Sequence, residues 1–162
     1  MNQGNRLFHW LLGGVVVFLA GAIAFALRQD GELPINPADA KQVGLGREVY
    51  DRYCAACHGA KLEGQAHWRE RLPNGRMPAP PHDQTGHTWH HPDGILLGII
   101  KEGLVPGKYA PPGYRSDMPA FGGALTDEEI RAVLAYVKSA WPPDIQKLQS
   151  EVNRRSREGS SG

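Results

Sequence analysis

The sequence predicts an all-α domain with long loops, preceded by one apolar segment that is long enough to cross a membrane. Two amphipathic patterns of helical period, one leading up to residue 54 and one following residue 126, predict helices that pack together. Twenty residues without Asp, Glu, Lys or Arg, from 8 to 27, predict the membrane segment. The sequence has no sustained β-type alternation and no internal repeat, which leaves helices and loops as its elements.

The composition fits one compact domain with short extensions. A chain of 162 residues is long enough for a single ordinary domain and additional segments. The formal net charge is only +1, and no long basic run carries interleaved aromatic residues, so nucleic acid is not an expected partner. The 20 glycines and 13 prolines predict many loops, while an apolar fraction of 41% can still fill a core.

Residues 1–28 are predicted to form a transmembrane anchor. A helix of twenty residues spans roughly 30 Å, about the thickness of the hydrocarbon layer. Arg6 and the terminal amine precede the apolar run, whereas Arg28 after it is offset by Asp30 and Glu32. By the positive-inside rule, this asymmetry predicts a single-pass protein of the cytoplasmic membrane, with a cytoplasmic N-terminus and a periplasmic domain.

The same segment also fits a cleaved secretory signal, which would leave a soluble periplasmic protein. Its apolar run is longer than the roughly 7–15 residues of an ordinary signal, and for this reason we favour a retained anchor. Both interpretations take the rest of the chain out of the cytoplasm.

The domain is predicted to span residues 38–142, after a polar linker at 29–37 and before a polar C-terminal tail at 143–162. The tail can extend as a polar helix, but no fold is assigned to it. Residues 59–92 are rich in glycine, proline and histidine and show little periodicity, so they are predicted to be loop.

Two helices are predicted before residue 104. The first begins near Ala38 and continues to the cysteines. Its packing stripe has spacings of three and four and consists of Val43, Gly46, Val49, Tyr50 and Tyr53. The second has Pro92 at its first helical position, directly after His91, and stops at Gly103.

The third predicted helix carries the clearest end signals. Thr126 is its N-cap, and Glu129 three residues later completes a capping box. Pro142 closes the helix at its other end. Its apolar stripe consists of Ile130, Val133, Leu134 and Val137, with Tyr136 and Trp141 beside it.

The chain places its only two cysteines, Cys54 and Cys57, three residues apart and directly before His58. A thioredoxin-like disulfide needs β-α-β patterning around the pair, which is not found here. A zinc site needs two further ligands at matching spacing, and no second paired motif follows. Cys-x-x-Cys-His is the attachment signature of c-type haem. We therefore predict one covalent haem held by both cysteines, with His58 beneath the iron.

A haem that carries electrons also needs a ligand on its other face, and methionine sulfur suits this position because it raises the potential. Met118 lies in the stretch "SDMPAF", stiffened by Pro119 and directly before the last helix. Met77 lies in a proline-rich loop closer to His58, which fits the other side of a haem pocket better. We predict Met118 as the second axial ligand, with Met77 as the alternative.

These residues resemble a class I cytochrome c over residues 38–142. The resemblance rests on "GREVYDRYCAACHG", "SDMPAF" and "LTDEEIRAVLAYVKSAWP", in that order. It implies a small all-helical fold around one haem, in which Gly46 and Tyr50 of the first helix cross the last helix at Tyr136, with Val133 beside them. The longer middle segment is similar to that of membrane-anchored bacterial monohaem cytochromes.

The resemblance also implies a proline carbonyl that accepts the free N–H of His58. Pro78, Pro80 and Pro81 are all candidates, and the sequence does not choose between them. Four further residues are either partners of the porphyrin and its propionates or ordinary packing and surface residues: Trp68, Arg76, Trp89 and Tyr109.

Four histidines lie within ten residues: His82, His87, His90 and His91. Imidazole suits copper and zinc, so a separate metal site is one interpretation. Bis-histidine haem ligation is another, in which one of them replaces Met118. We favour structural or surface roles, because His91 precedes a helix and the other three lie in a loop.

The predicted function is electron transfer, with no enzymatic activity. The expected electron donor is a quinol–cytochrome c oxidoreductase or a dehydrogenase, and the expected acceptor is a terminal oxidase or reductase of a respiratory-type chain. One alternative is a haem peroxidase or gas-binding protein, which requires an open sixth position on the iron. The other is a metal-handling module that uses the histidine loop.

Overall fold

The computed structural model describes residues 34–159 of the chain. The apolar run at 8–27, and with it the predicted anchor, lies outside the described residues. Within 34–159, no helix is both long enough and apolar enough to cross a membrane.

Helices and loops make up the described part of the chain, as the sequence predicts. Its α-helices are α1 Ala40–Tyr53, α2 Ala55–His58, α3 Asp93–Glu102, α4 Asp127–Ser139 and α5 Pro143–Gly159, with a 3₁₀ turn at Thr88–His90. In residues 34–159 the β structure is limited to one isolated bridge between Pro106 and Ala110. The all-α prediction is confirmed for this region.

Helix α1 begins where a side chain can satisfy its first free N–H groups. The Asp39 carboxylate accepts the backbone N–H of Lys41 at 2.9 Å and that of Gln42 at 3.3 Å. Of the predicted stripe, Gly46, Val49 and Tyr50 are buried and Val43 is half-buried, whereas Tyr53 remains 38% exposed. Helix α1 therefore directs one narrow face into the core.

The crossing of α1 over α4 depends on the absence of a side chain at Gly46. A Cβ atom there would lie 1.9 Å from the carbonyl oxygen of Ala132, which is far inside van der Waals contact. One turn further on, the rings of Tyr50 and Tyr136 lie 5.3 Å apart and fill the crossing. This is the arrangement that the resemblance implied.

Helix α4 lies at the centre of the domain. Its predicted capping box is present, because the Thr126 hydroxyl accepts the Glu129 N–H and the Glu129 carboxylate accepts the Thr126 N–H. The predicted stripe is fully buried: Ile130, Val133, Leu134 and Val137. Trp141 is buried just after the helix ends.

Helix α3 begins one residue later than the sequence predicts. Pro92 is its N-cap rather than its first helical residue, and Asp93 is the first residue of the helix. The predicted stop is correct, since Gly103 caps the C-terminal end with a φ of 80°.

The segment after Pro142, to which the sequence analysis assigned no fold, forms α5. The carboxylate of Asp93 accepts hydrogen bonds from the Gln149 amide at 2.8 Å, the Asn153 amide at 2.9 Å and the Lys138 ammonium at 2.9 Å. Gln149 is only 1% exposed. A polar network therefore fastens α5 to the start of α3 and the end of α4.

Candidate functional site

The two cysteines and the histidine of the motif lie on consecutive turns where α1 continues into α2. The Cys54 N–H still donates to Tyr50 of α1, and the His58 N–H donates to Cys54 at 2.9 Å. Cys54 is half-buried and Cys57 is exposed. The motif therefore occupies one compact helical stretch in which the three residues lie within five consecutive positions.

The chemistry of Cys54 does not favour a disulfide. The cysteines are not joined by a disulfide. Burial, and to a lesser extent the neighbouring Cys57, raises the pKa of the Cys54 thiol to about 11. A thiol with a raised pKa is a slow partner in disulfide exchange at neutral pH.

One ring nitrogen of His58 is occupied by a backbone carbonyl. The His58 Nδ1–H donates to the carbonyl oxygen of Pro80 at 2.9 Å, which selects Pro80 from the three candidate prolines. That bond fixes the neutral tautomer whose Nε2 is free to bind a metal. Burial lowers the pKa of His58, although the Pro80 bond opposes the effect, and the lowered value also favours the neutral ring.

A tight loop after the motif brings Pro80 to His58. The backbone has positive φ at Gly59, Leu62 and Gly64, which turns the chain back on itself. The Gly64 N–H donates to the His58 carbonyl at 2.7 Å, and a Cβ at Gly64 would lie 2.4 Å from the nitrogen of Pro81. The close approach of these two backbone segments thus depends on a glycine.

His82 lies on the face of the His58 ring, a contact that the sequence analysis missed. The two ring centres are 4.0 Å apart and the planes differ by 19°. Burial, followed by the proximity of His58 and His87, lowers the pKa of His82 well below its ordinary value. In the sequence, His82 follows Pro80 by two residues. This spacing predicts a position near His58 only when Pro80 is known to be the proline that bonds to His58.

The four clustered histidines do not converge on a metal. The residues at 34–159 contain no group of three or more histidine, cysteine or acidic side chains placed to hold an ion. His87 stacks on Trp68, with ring centres 5.3 Å apart, and His90 contacts Trp89. The ring contacts of His87 and His90 are of the structural kind that we favoured for these side chains.

The loop that carries Met118 is held on both sides. The Met118 N–H donates to the Ser116 hydroxyl at 3.1 Å, and the Phe121 N–H donates to Ile100 of α3 at 2.9 Å. The Met118 carbonyl oxygen lies close to Gly103, where an added Cβ would be 3.6 Å from it. The half-buried Met118 therefore lies in a loop with a defined path against the end of α3.

The segment that contains Met77 is bonded to the Met118 loop. The Met77 N–H donates to the carbonyl of Arg115 at 2.8 Å. The Arg76 guanidinium donates to the Ser116 carbonyl at 2.8 Å and lies 2.7 Å from the Asp117 carboxylate. The two candidate methionines thus belong to one pair of joined loops.

Of the four residues considered as partners of the porphyrin, three have polar or ring contacts within the protein and one has an unpaired polar atom. Arg76 bonds to Ser116 and Asp117, and the Tyr109 hydroxyl donates to Glu102 at 2.9 Å, so both have protein partners. Trp68 stacks on His87. The indole N–H of Trp89 is buried and has no hydrogen-bond partner among the described residues. An unpaired buried donor of this kind fits an acceptor that a bound group would supply.

Comparison with known proteins decides the family. A model of the cytochrome c family matches residues 43–141, which is more than half of the chain. The chain belongs to the cytochrome c family. It is similar to the cytochrome c-555 of Prosthecochloris aestuarii, with 30% identity over 115 residues that cover 64% of this chain and 94% of that protein. No solved structure matches the chain significantly.

Membership of the cytochrome c family implies a covalently bound c-type haem, and the work of such a protein is haem-based electron transfer. Cys54 and Cys57 fit the attachment motif. The neutral tautomer of His58 and the unpaired indole N–H of Trp89 fit the same group. The prediction of covalent haem is confirmed.

Proposed function

We propose that this cytochrome carries one electron at a time on a haem whose iron is bound by His58 on one side and Met118 on the other. The observation that carries the proposal is the 2.9 Å bond from His58 Nδ1 to Pro80, because it leaves Nε2 as the metal-binding atom. When bound, the haem supplies a ferrous/ferric couple. The protein residues hold it and set its potential.

The proposed ligands fit an electron carrier better than an enzyme. If His58 and Met118 both bind the iron, no position on it would remain open for a substrate. The neutral sulfur of Met118 favours the ferrous state and raises the potential. The bonds from Arg76 to Ser116 and from Met77 to Arg115 hold the backbone just before Met118, which would limit rearrangement when the electron moves.

The proposed location is the outer face of the cytoplasmic membrane, with the haem domain in the periplasm. The support is the apolar run at 8–27 and the distribution of charge around it. A linker of residues 29–37, fully extended, reaches at most about 30 Å from the anchor. Within that range, the proposed donor is a quinol–cytochrome c oxidoreductase or dehydrogenase, and the proposed acceptor is a terminal oxidase or reductase.

Haem staining of a membrane fraction, combined with intact-mass analysis of the stained band, tests attachment and anchoring together. We expect one covalent haem on a chain that retains residues 1–28. A stained band in the soluble periplasmic fraction, at the mass of a shortened chain, would instead support a cleaved signal. The absence of covalent haem would contradict the whole proposal.

The two methionines provide a matched pair of variants for the axial ligand. A methionine bound to ferric iron produces a weak long-wavelength absorption band. We expect Met118→Ala to lose this band and to bind cyanide quickly, while Met77→Ala keeps it. Loss of the band in Met77→Ala alone would assign the ligand to Met77. Fast cyanide binding by the unmodified protein would support a peroxidase or gas-binding protein.

A further inference from the structure

The His58 ring is held on two sides by one short stretch of chain, residues 80–82. Pro80 accepts its Nδ1–H at 2.9 Å in the ring plane. His82 covers one face, with 4.0 Å between ring centres and 19° between planes. An imidazole contacted at its edge and on its face has little freedom to turn.

His82 is itself fixed at three points. Its backbone N–H donates to the Leu62 carbonyl at 2.7 Å, and its carbonyl accepts the indole N–H of Trp141 at 2.7 Å. Its ring Nδ1 lies 2.8 Å from the Thr88 hydroxyl. The partners come from three separate parts of the chain, so the ring is a rigid support for His58.

The backbone at Leu62, which accepts the N–H of His82, has an unfavourable conformation that its surroundings must hold. Leu62 is buried, and its backbone φ is 67°. This value lies in the left-handed region, which residues other than glycine and asparagine rarely adopt. Such a conformation persists where its surroundings hold it, and it is common next to functional sites. Here it directs the Leu62 carbonyl at the N–H of His82.

We propose that His82 is a positioning residue that sets the plane of the His58 imidazole at the iron, an inference that rests on the proposed ligation by His58. Rotation about the Cβ–Cγ bond of a histidine has broad minima, so the ring plane is determined by its neighbours. The Pro80 bond fixes which nitrogen binds the metal. The stacked ring of His82 restricts the remaining rotation.

The ring plane has measurable consequences in a ferric haem. The orientation of an axial imidazole determines how the unpaired electron is distributed over the porphyrin, and therefore the spread of the four haem-methyl resonances and the anisotropy of the electron paramagnetic resonance spectrum. A polar ring beside His58 also stabilises the more positive ferric state. Replacing His82 by an apolar residue should therefore raise the midpoint potential.

The experiment uses the full-length haem-loaded protein in four variants. His82→Leu removes the ring, Thr88→Val removes only the hydroxyl that holds it, and Thr88→Ser restores that hydroxyl. His90→Leu is the control, because His90 lies in the same segment but is exposed and contacts Trp89 instead. Each variant is measured by proton NMR and paramagnetic resonance of the ferric form and by redox titration.

We expect His82→Leu to change the spread of the haem-methyl shifts and to raise the potential, and Thr88→Val to change both in the same direction by less. Thr88→Ser and His90→Leu should match the unmodified protein. Wild-type shifts and potential in a haem-loaded His82→Leu protein would overturn the inference. If that variant incorporates no haem, wild-type spectra of Thr88→Val would overturn it.

The outcome is separable from that of the proposed function. Absence of the methionine–iron band in the unmodified protein would count against the ligand set of the proposed function. Unchanged spectra in His82→Leu, with that band still present, would count against the role of His82 alone.

Discussion

The guanidinium of Arg76 lies 2.7 Å from the carboxylate of Asp117, the residue directly before Met118. The same guanidinium donates to the Ser116 carbonyl at 2.8 Å. Arg76, from the middle loop, therefore bonds to the two residues directly before Met118, the proposed sulfur ligand. Any movement of this loop away from the middle loop would break both contacts.

We expect Arg76→Gln to make Met118 easier to displace. The ion pair is partly exposed, with Arg76 36% and Asp117 67% accessible, so on its own it contributes little. With the bond to Ser116 included, the loss should be about 1–2 kcal/mol, which corresponds to roughly 5–30-fold faster uptake of cyanide or imidazole by the ferric protein. Stopped-flow absorption measures this rate.

Arg71→Gln is the matched control for this experiment. Arg71 belongs to the same middle loop, but its guanidinium donates to the Gly75 carbonyl at 2.9 Å and so bonds within that loop. Its ligand-uptake rate should equal that of the unmodified protein. Equal rates in Arg76→Gln and Arg71→Gln would show that Arg76 does not restrain the Met118 loop.

Gly46→Ala should be strongly destabilising. The added methyl group would lie 1.9 Å from the Ala132 carbonyl oxygen and 2.9 Å from the Tyr136 Cβ, so α1 and α4 would have to separate. Overpacking of a core typically costs about 1–3 kcal/mol, and a clash with backbone belongs at or above the upper end. Denaturant unfolding of the haem-loaded protein measures the free energy.

Gly44 is the control on the same helix. An added Cβ there meets no atom within 4 Å, so Gly44→Ala should be neutral or stabilise the helix by up to roughly 1 kcal/mol. The two substitutions add the same methyl group to the same helix. Equal effects would mean that the close crossing at Gly46 is not formed in solution.

Local signals were sufficient to predict helices α1, α3 and α4. The capping box at Thr126 and the apolar stripe of α4 involve residues within a few positions of each other, so they are visible in sequence. The Gly46 crossing followed from a family resemblance. The sequence predicts the start of α3 one residue too early, because proline can stand at the N-cap as well as at the first helical position.

Contacts between distant residues in irregular loops could not be predicted in this way. The stacking of His82 on His58 depends on backbone turns at positive φ, including one at Leu62 that no sequence signal marks. The contact of Arg76 with Asp117 joins residues about forty positions apart through two loops without periodicity. In both cases the sequence shows side chains that are able to interact. It does not show the path of the loops that brings them into contact.

Asp93→Ala should destabilise the protein by about 3–5 kcal/mol, because it leaves a buried ammonium group without its counter-ion. Lys138 is only 7% exposed and makes 2.9 Å contacts with both carboxylate oxygens of Asp93. The amides of Gln149 and Asn153 lose their acceptor in the same substitution. Unfolding by urea, followed by circular dichroism, gives the free energy.

The control for Asp93 is an exposed ion pair of α5. Arg154 and Glu158 lie 2.9 Å apart, one turn from each other, and both are largely accessible. Glu158→Ala should cost no more than about 0.5 kcal/mol. A loss below about 1 kcal/mol for Asp93→Ala would show that α5 does not dock on Asp93 in solution.

His87 should make the stability of the protein sensitive to acid. Burial is the main cause that lowers the pKa of His87 in the folded protein, and the positive charges of His91, His90 and Arg69 lower it further. In the unfolded chain the same ring titrates near the ordinary value of about 6.5. As the pH falls below about 6.5, the unfolded state therefore takes up a proton that the folded state does not, and stability is lost until the pH reaches the lower folded pKa.

His87→Phe should remove this part of the acid sensitivity. Phenylalanine can keep the stacking on Trp68, and it replaces a ring nitrogen, Nδ1, that is buried without a hydrogen-bond partner among the described residues. The gain in unfolding free energy over the unmodified protein should be constant between about pH 7 and 8 and should widen as the pH falls toward about 5. Urea unfolding across that range measures both curves. Curves that stay parallel down to pH values of about 5 would mean that His87 takes up its proton equally in the folded and unfolded states, and would contradict its burial.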